Sequence, residues 1–285
     1  IRRFTSVTTF FFSQNVKRKA GLSTRGRPAK TWHMNSKARL QAALDHRQPD
    51  RVCVDFGATF VTGIHVSVVH RLRQRLLGDQ AWRAKVIEPY QMLGEIDDQL
   101  RETLGIDVIG VPARKSIFGT EQKDWKPFRL FDGTECLVPG TLNVTRAPDG
   151  GWLMYPEGDT SVPPSGHMPE GGYFFDAIVR QEPIDENKLD PADNTEEFGL
   201  LSEPDLAYYQ EKKKWFEERR RFGSILVIPG TAFGDIALVP APWLKHPKGI
   251  RDVSEWYIST RARRDYVWKI FERQCEIALQ NINTL

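Results

Sequence analysis

Residues 49–63, Pro-Asp-Arg-Val-Cys-Val-Asp-Phe-Gly-Ala-Thr-Phe-Val-Thr-Gly, are the stretch that decides the fold. Residues 52–56 form a short run that is apolar except for Asp55 and that lies between a Pro-Asp breaker and Gly57. This pattern predicts a fully buried strand of a parallel sheet. A buried carboxylate must be paired, hydrogen-bonded or hydrated, and the carboxyl ends of the strands of an α/β barrel open into a cleft. Asp55 is therefore the first candidate functional residue.

Two later stretches, 107–112 and 223–230, are also short apolar runs that end at Pro or Gly, and they predict two more buried strands. Helical spacing of apolar residues predicts helices around them, at about 35–45, 65–77, 95–104, 202–221 and 252–285. Ser202 and Asp205 form a capping-box pattern at the start of the fourth helix. The alternation of predicted helices and strands along the chain predicts an α/β fold. Three parallel strands do not close a barrel of eight, so the alternatives are an incomplete (β/α)8 TIM barrel and a small open sheet. We favour the incomplete barrel.

Residues 119–200 differ in character from the flanking sequence. They are rich in Gly, Pro and aromatic residues, and they carry turn sequences at 132–133, 149–151 and 171–172. Alternating hydrophobicity between these turns predicts antiparallel hairpins. We interpret this segment as a β-rich insertion on the rim of the barrel after its second strand. The barrel would then start at 34–118 and continue, truncated, at 201–285.

The positive net charge of the chain comes from residues 1–33, which carry eight Lys and Arg and no acid. The remaining 252 residues hold 32 basic and 37 acidic residues, so the charge of residues 34–285 does not indicate nucleic-acid binding. We predict that 1–33 are a disordered basic tail. Three interpretations stay open: a mitochondrial transit peptide, a minor-groove clip at Arg25-Gly-Arg-Pro28, and non-native sequence ahead of a start at Met34. The third is favoured, because Met34 is followed at once by well-patterned sequence.

The cysteines, Cys53, Cys136 and Cys275, are odd in number, far apart and without a C-x-x-C motif. They predict reduced thiols in a cytoplasmic protein, with neither a disulfide framework nor a zinc site. No apolar run is long enough to cross a bilayer, so we predict no membrane partner.

A family resemblance adds a specific hypothesis. Residues 37–52, followed by Val54-Asp-Phe-Gly57 and Thr62-Gly-Ile64, resemble the opening of uroporphyrinogen decarboxylase-like proteins, and more narrowly their branch related to cobalamin/coenzyme M methyltransferases. Residues 104–108 and 228–233 fit the second and third strands of that family, and 168–176 look like an insert of its less characterised members. The resemblance covers about 35–285. It implies a (β/α)8 barrel of which this chain is the N-terminal half to two thirds.

The resemblance also implies two chemistries. Uroporphyrinogen decarboxylases have an arginine-rich loop after the first strand and an Asp at the end of the second. In this chain the corresponding loop, residues 57–63, contains no Arg, and the corresponding strand end, Val111-Pro-Ala113, contains no Asp. Porphyrin decarboxylation, which needs such charges, is therefore the alternative and not the expectation. The methyltransferase branch holds zinc with a His-x-Cys pair and a later Cys, and the resulting thiolate accepts a methyl group from a corrinoid. This chain has no His-x-Cys. We therefore expect zinc, a corrinoid and a corrinoid-protein partner only for the full-length parent, and no metal or cofactor in this chain.

The candidate site residues follow from these placements. Asp55 is the catalytic candidate, which could orient substrate; the alternative is a structural carboxylate that accepts hydrogen bonds from the next turn. The candidates for binding a small-molecule substrate follow the predicted strands or lie in the insertion, and they are Thr59, Thr62, Thr231, Phe233, His167 and Tyr173. Within the insertion, His167, Tyr173 and Asp176 could form either a lid over the site or a packed hairpin. His65 and His70 are five residues apart on a helix and are poor joint ligands.

Two other functions remain as alternatives. One is a non-catalytic fragment or binding module that is inactive by itself. The other is a glycosidase, which needs a second carboxylate about 5–10 Å from Asp55, and the sequence offers no clear partner.

Overall fold

The computed structural model describes residues 33–195, 198–232 and 234–285. The α-helices of this part of the chain are α1 (Ser36–Leu44), α2 (Val66–Leu77), α3 (Asp98–Leu104), α4 (Glu203–Glu218), α5 (Val253–Ala262) and α6 (Arg264–Thr284). The strands are β1 (Ala84–Glu88), β2 (Leu93–Gly94), β3 (Val108–Val111), β4 (Lys126–Arg129), β5 (Glu135–Val138), β6 (Val144–Arg146), β7 (Trp152–Met154), β8 (Gly166–Met168), β9 (Asp176–Ala177) and β10 (Gly223–Leu226). Short 3-10 helices lie at Pro156–Gly158, Pro191–Asn194 and Ile236–Leu238.

The fold is mixed α/β, as the sequence predicts, and residues 34–285 belong to one compact unit. The described strands form three sheets, in the orders β2-β1-β5-β4, β10-β3 and β6-β7-β8-β9, and none of these sheets closes into a barrel. Most of the predicted tail, residues 1–32, lies outside the described residues. Within the described part of the chain, no helix combines the length and the hydrophobicity that a membrane span requires.

The apolar runs predicted at 107–112 and 223–230 form neighbouring parallel strands, but the second is not the buried strand that was expected, since Ser224 and Leu226 of β10 are exposed. β3 and β10 pair over four residues, from Val108 opposite Gly223 to Val111 opposite Leu226. Val108, Ile109 and Val111 are buried, as a strand covered on both faces requires. The predicted second and third strands are therefore confirmed as neighbours.

The prediction of a buried strand at 52–56 is wrong. No strand is formed there, and Val52 is 80% and Phe56 48% exposed. The segment still lies beside β3, because the backbone N–H of Asp107 donates to Val54 O at 2.8 Å. The Val54 N–H, however, donates to the side chain of Asp107 at 2.9 Å. This amide is therefore not available for a second ladder bond with a neighbouring strand.

The predicted hairpins of the insertion are present. β4 and β5 pair antiparallel around Asp132-Gly133, β6 and β7 around Gly150, and β8 and β9 around Gly171-Gly172. β1 and β2, which the hydrophobic pattern did not predict, also form an antiparallel pair. β1 pairs in parallel with β5, so this sheet contains strands from both sides of the predicted insertion boundary at 118/119.

The predicted helices are largely observed, with two corrections. Ser202 Oγ accepts from the backbone N–H of Asp205, and the Asp205 carboxylate accepts from the N–H of Ser202, so α4 begins with the predicted capping box. The helix ends at Glu218 and not at Arg221. The predicted helix at 252–285 is two helices, because Arg263 between α5 and α6 has non-helical dihedral angles of φ −126° and ψ 48°.

A buried ionic cluster ties α1 and residues 50–54 to the start of β3. Asp107 is fully buried and accepts from Arg39 Nη1 at 2.5 Å and from both terminal nitrogens of Arg51 at 2.8 and 2.9 Å. Asp50 in turn accepts from Arg39 Nε at 2.7 Å. Burial alone would raise the pKa of Asp107, but the Val54 N–H, Ser36 and Arg39 outweigh it and hold that pKa below its ordinary value.

We predict that Asp107→Asn lowers the free energy of unfolding by about 3 kcal/mol, because it leaves two guanidinium groups beside a neutral amide. Chemical denaturation at pH 7 measures this loss. Asp185→Asn, at an exposed carboxylate that pairs with Lys188 and accepts from the N–H of Asn187, is the control.

The ionisation of Asp107 predicts that the stability of the fold depends on pH. The folded pKa of Asp107 lies below the ordinary value of 3.8. Its stabilising contribution is therefore present above about pH 4 and is lost as the pH falls through the folded pKa. The stability difference between the wild type and Asp107→Asn should shrink at acidic pH. A difference that stays constant from pH 7 to pH 3 would contradict this assignment.

A second prediction concerns Gly110 in β3. A Cβ at this position would lie 1.6 Å from the backbone oxygen of Ala58, which belongs to the turn after residues 52–56. Gly110→Ala should displace this turn and lower the free energy of unfolding by about 1–3 kcal/mol. Gly199→Ala, where no atom of the described residues lies within 4 Å of the new Cβ, is the matched control. Equal thermal stability of the two variants would show that the turn does not depend on this close approach.

Candidate functional site

A cavity of about 610 Å³ opens beside the amino end of α2 and the β8–β9 turn. Aromatic and apolar side chains form part of its wall, and His65, Arg71, Gln91 and Asp176 supply polar groups. Tyr173 also lines it.

His65 caps α2 and joins it to the β8–β9 turn. Its Nδ1 accepts from the backbone N–H of Ser67 at 3.2 Å. Its Nε2 lies 2.8 Å from the carbonyl oxygen of Tyr173 and must donate, since a carbonyl can only accept. Burial lowers the pKa of His65, although the Tyr173 carbonyl works in the opposite direction. His65 is therefore a neutral imidazole with its proton on Nε2.

Arg71 and Ser67 extend this arrangement along α2. Arg71 Nη2 donates to Ser67 Oγ at 3.0 Å, and Ser67 Oγ lies 2.9 Å from His65 Nδ1. Because Nδ1 has no proton in this tautomer, the serine hydroxyl donates to it. A hydrogen-bond chain thus leads from Arg71 through Ser67 and His65 to the backbone of Tyr173, and it fixes the orientation of the imidazole.

Tyr90 and Tyr173 place phenol rings at the cavity. The rings of His65 and Tyr173 meet edge to face, with centroids 5.6 Å apart. The backbone oxygen of Tyr90 accepts from the N–H of Phe175 at 2.8 Å, which joins the β1–β2 turn to the β8–β9 turn. Burial, followed by the charge of Asp176, raises the pKa of Tyr90, so its hydroxyl stays protonated and able to donate at neutral pH.

The structure brings the candidates Asp55, Thr59 and Thr62 together in one turn. Asp55 Oδ1 accepts from the N–H of Ala58 at 3.2 Å and from Thr62 Oγ1 at 3.1 Å. Thr59 Oγ1 accepts from the N–H of Val61 at 3.2 Å. Burial raises the pKa of Asp55, although these hydrogen bonds oppose the shift. The contacts are those of the structural alternative for Asp55, and a role in catalysis stays a prediction.

The remaining candidates lie apart from this turn. Thr231 is exposed, and its hydroxyl donates to Ile228 O at 2.7 Å. Phe233 lies outside the described residues. His167 is on β8, where its Nε2 is 2.9 Å from Asp149 Oδ2, and it is not one of the residues that line the cavity. Of the predicted lid, Tyr173 and Asp176 therefore reach the cavity, whereas His167 contacts the β6–β7 turn.

The sequence missed Tyr90 and Arg71, and it considered His65 only as a metal ligand. Glu88 also escaped notice, although its carboxylate closes the turn after β1 by accepting from the N–H groups of Tyr90 and Gln91, each at 2.8 Å. Burial raises the pKa of Glu88. The alternation of buried Ala84 and Val86 before Glu88-Pro-Tyr90 is the signal that could have indicated this strand and turn.

The residues that the structure describes do not fit the zinc site of the methyltransferase branch. Among the described residues, no group of three or more His, Cys, Asp or Glu is placed to hold a metal ion. Cys53, Cys136 and Cys275 are free thiols. Burial raises the pKa of Cys53, and it raises the pKa of Cys136 to about 12, so neither is a ready thiolate.

Comparison with known proteins identified no relative, so a functional proposal for this chain must rest on its own sequence and geometry. No protein-family model matches the sequence, and neither a curated protein nor a solved structure matches it.

Proposed function

We propose that the chain is part of a uroporphyrinogen decarboxylase-like (β/α)8 barrel enzyme that binds a small organic substrate in the cavity beside His65 and takes part in methyl transfer from a corrinoid. The observation that supports it is the position of three segments. Residues 52–56 lie beside β3 through the bond from the Asp107 N–H to Val54 O, and β3 pairs in parallel with β10. A barrel of this class has its first three strands in that arrangement.

The cavity favours methyl transfer over porphyrin decarboxylation. Arg71 is the one Lys or Arg among the described residues that line the cavity. A tetrapyrrole with several carboxylates needs several cationic clamps, whereas a single guanidinium with aromatic neighbours suits a small molecule with one anionic group. The missing Arg in residues 57–63 supports the same choice.

In this proposal the described residues bind and orient the substrate. Arg71 pairs with its anionic group, the hydroxyl of Tyr90 donates a hydrogen bond, and the ring of Tyr173 covers it. His65 holds the turn that carries Tyr173. The zinc ion of the methyltransferase branch would supply a metal-bound thiolate, but the described residues do not fit it.

The experiment is an assay of the full-length parent protein with methylcobalamin and a thiol, in which loss of the cobalt–methyl absorbance reports methyl transfer. Decarboxylation of uroporphyrinogen is measured in parallel. Thiol-dependent demethylation supports the proposal. Decarboxylation without demethylation establishes the alternative chemistry, and binding of the thiol without turnover shows a binding module.

We predict that His65→Asn raises the KM for the thiol about tenfold and changes kcat little, because one hydrogen bond that positions the lid is lost. Asn is a good N-cap, so α2 should persist. His46→Asn, at an exposed histidine with positive φ, is the matched control. A fall in kcat at unchanged KM would show that His65 acts on the reaction and not on substrate binding.

A further inference from the structure

The cavity beside His65 has an aromatic wall that is open to solvent. Tyr173 and Phe174 are 52% and 54% exposed, although both line a concave surface of about 610 Å³. Tyr90 and the imidazole of His65 complete the aromatic part of the lining. Exposed apolar side chains that are scattered singly need no explanation, but several rings that share one concavity indicate a ligand site.

Asp176 places a carboxylate at the same cavity, and this carboxylate has no cationic partner among the described residues. His167 lies opposite Asp176 in the pairing of β8 with β9, but its Nε2 contacts Asp149 at 2.9 Å instead. The charge of Asp176 reaches the phenol of Tyr90, whose pKa it helps to raise. A negative charge therefore lies beside the aromatic wall and is available to a ligand.

The rings of the cavity also lack a cation of the protein's own. Elsewhere in the described chain, Lys and Arg side chains lie over aromatic rings, and the Cζ of Arg146 is 3.8 Å from the centroid of the Trp152 ring. None of the described Lys and Arg side chains lies over Tyr90, Tyr173 or Phe174. Clusters of rings recognise quaternary ammonium ligands through the ring quadrupole, and a neighbouring carboxylate adds Coulomb attraction. The cavity has both components.

Arg71 supplies a positive charge to the same lining. Its Nε and Nη2 donate to the carbonyl oxygen and the hydroxyl of Ser67 at 3.1 and 3.0 Å, and Asp132 is 3.8 Å from Nη2. Its Nη1 donates no hydrogen bond to another described residue. A ligand with one cationic and one anionic group can therefore find a partner for each charge in this cavity.

We propose that the cavity beside His65 binds a small zwitterion that carries a quaternary ammonium group and a carboxylate. The ammonium group would lie on the rings of Tyr173 and Phe174, next to Asp176, and the carboxylate would pair with Arg71. A quaternary ammonium fits better than a primary one, because its methyl groups pack on rings, whereas a primary ammonium needs three hydrogen-bond acceptors. The inference rests on the proposed function only in taking this cavity as the substrate site, where the zwitterion would compete with the thiol.

The test is isothermal titration calorimetry of the full-length parent protein with 4-(trimethylammonio)butanoate, whose flexible chain adapts to the separation of the two charges. Its neutral isostere, 5,5-dimethylhexanoate, keeps the shape, the methyl groups and the carboxylate and lacks only the positive charge. We expect the isostere to bind on the order of tenfold more weakly, because the cation–π and Coulomb contacts are lost. 4-Aminobutanoate keeps the charge without the methyl groups and should also bind on the order of tenfold more weakly.

Two pairs of variants test the position of the ammonium group. Tyr173→Leu keeps an apolar side chain but removes the ring, and it should weaken binding on the order of tenfold, whereas Tyr173→Phe keeps the ring and should bind like the wild type. Asp176→Asn should weaken binding on the order of tenfold. Its matched control is Asp185→Asn, at an exposed carboxylate outside the cavity. Because all three side chains are exposed, the variants should fold.

Three results would each overturn the proposal: no saturable binding, equal binding of the neutral isostere, and equal binding by Tyr173→Leu and the wild type. Binding of 4-aminobutanoate as tight as that of the quaternary compound would also overturn it. The methyl-transfer proposal fails separately. Zwitterion binding without thiol-dependent demethylation would support the ammonium site and refute methyl transfer, and demethylation without zwitterion binding would do the reverse.

Discussion

The carboxylate of Asp107 is the point on which the arrangement of the described chain depends. It is fully buried and is bound by Arg39 from α1, by Arg51 and by the backbone N–H of Val54. A charge taken out of water is stable in a protein only when such partners replace its hydration. The three segments are therefore held together at the residue where β3 begins, and none of them can move away without exposing an unpaired charge to the protein interior.

This cluster also determines how the chain reaches the candidate site. Because the Val54 amide is bound by a side chain, the segment leaves strand geometry and turns at Gly57, which has a φ of 81°. The turn then lies against Gly110 of β3 and carries Asp55 and Thr62 before the chain enters α2. The position of His65 at the amino end of α2, and thus one wall of the cavity, follows from a turn that the buried carboxylate sets in place.

The two open surfaces of the molecule have different chemistry. The cavity beside His65 has a neutral imidazole, phenol groups, one guanidinium and the carboxylate of Asp176, a set that suits a small molecule. The groove along β10 is lined by apolar and aromatic side chains together with several Lys and Arg. One surface is built mainly from α2 and the turns after β1 and β8, the other from α4, β10 and α6. A ligand can therefore occupy one without contacting the residues of the other.

The sequence by itself determined the elements whose signals are local. The capping box of α4, the turn at Asp132-Gly133 and the strands β3 and β10 each depend on residues within a few positions, and all are observed. Tertiary structure alone decided the rest. The apolar run at 52–56 is not a buried strand, because a carboxylate 53 residues away binds the amide of Val54. The cavity depends on a hydrogen bond between His65 and Tyr173, which are 108 residues apart. Hydrophobic periodicity reports which face of an element is buried, but it carries no information about which distant side chain will satisfy a given backbone group.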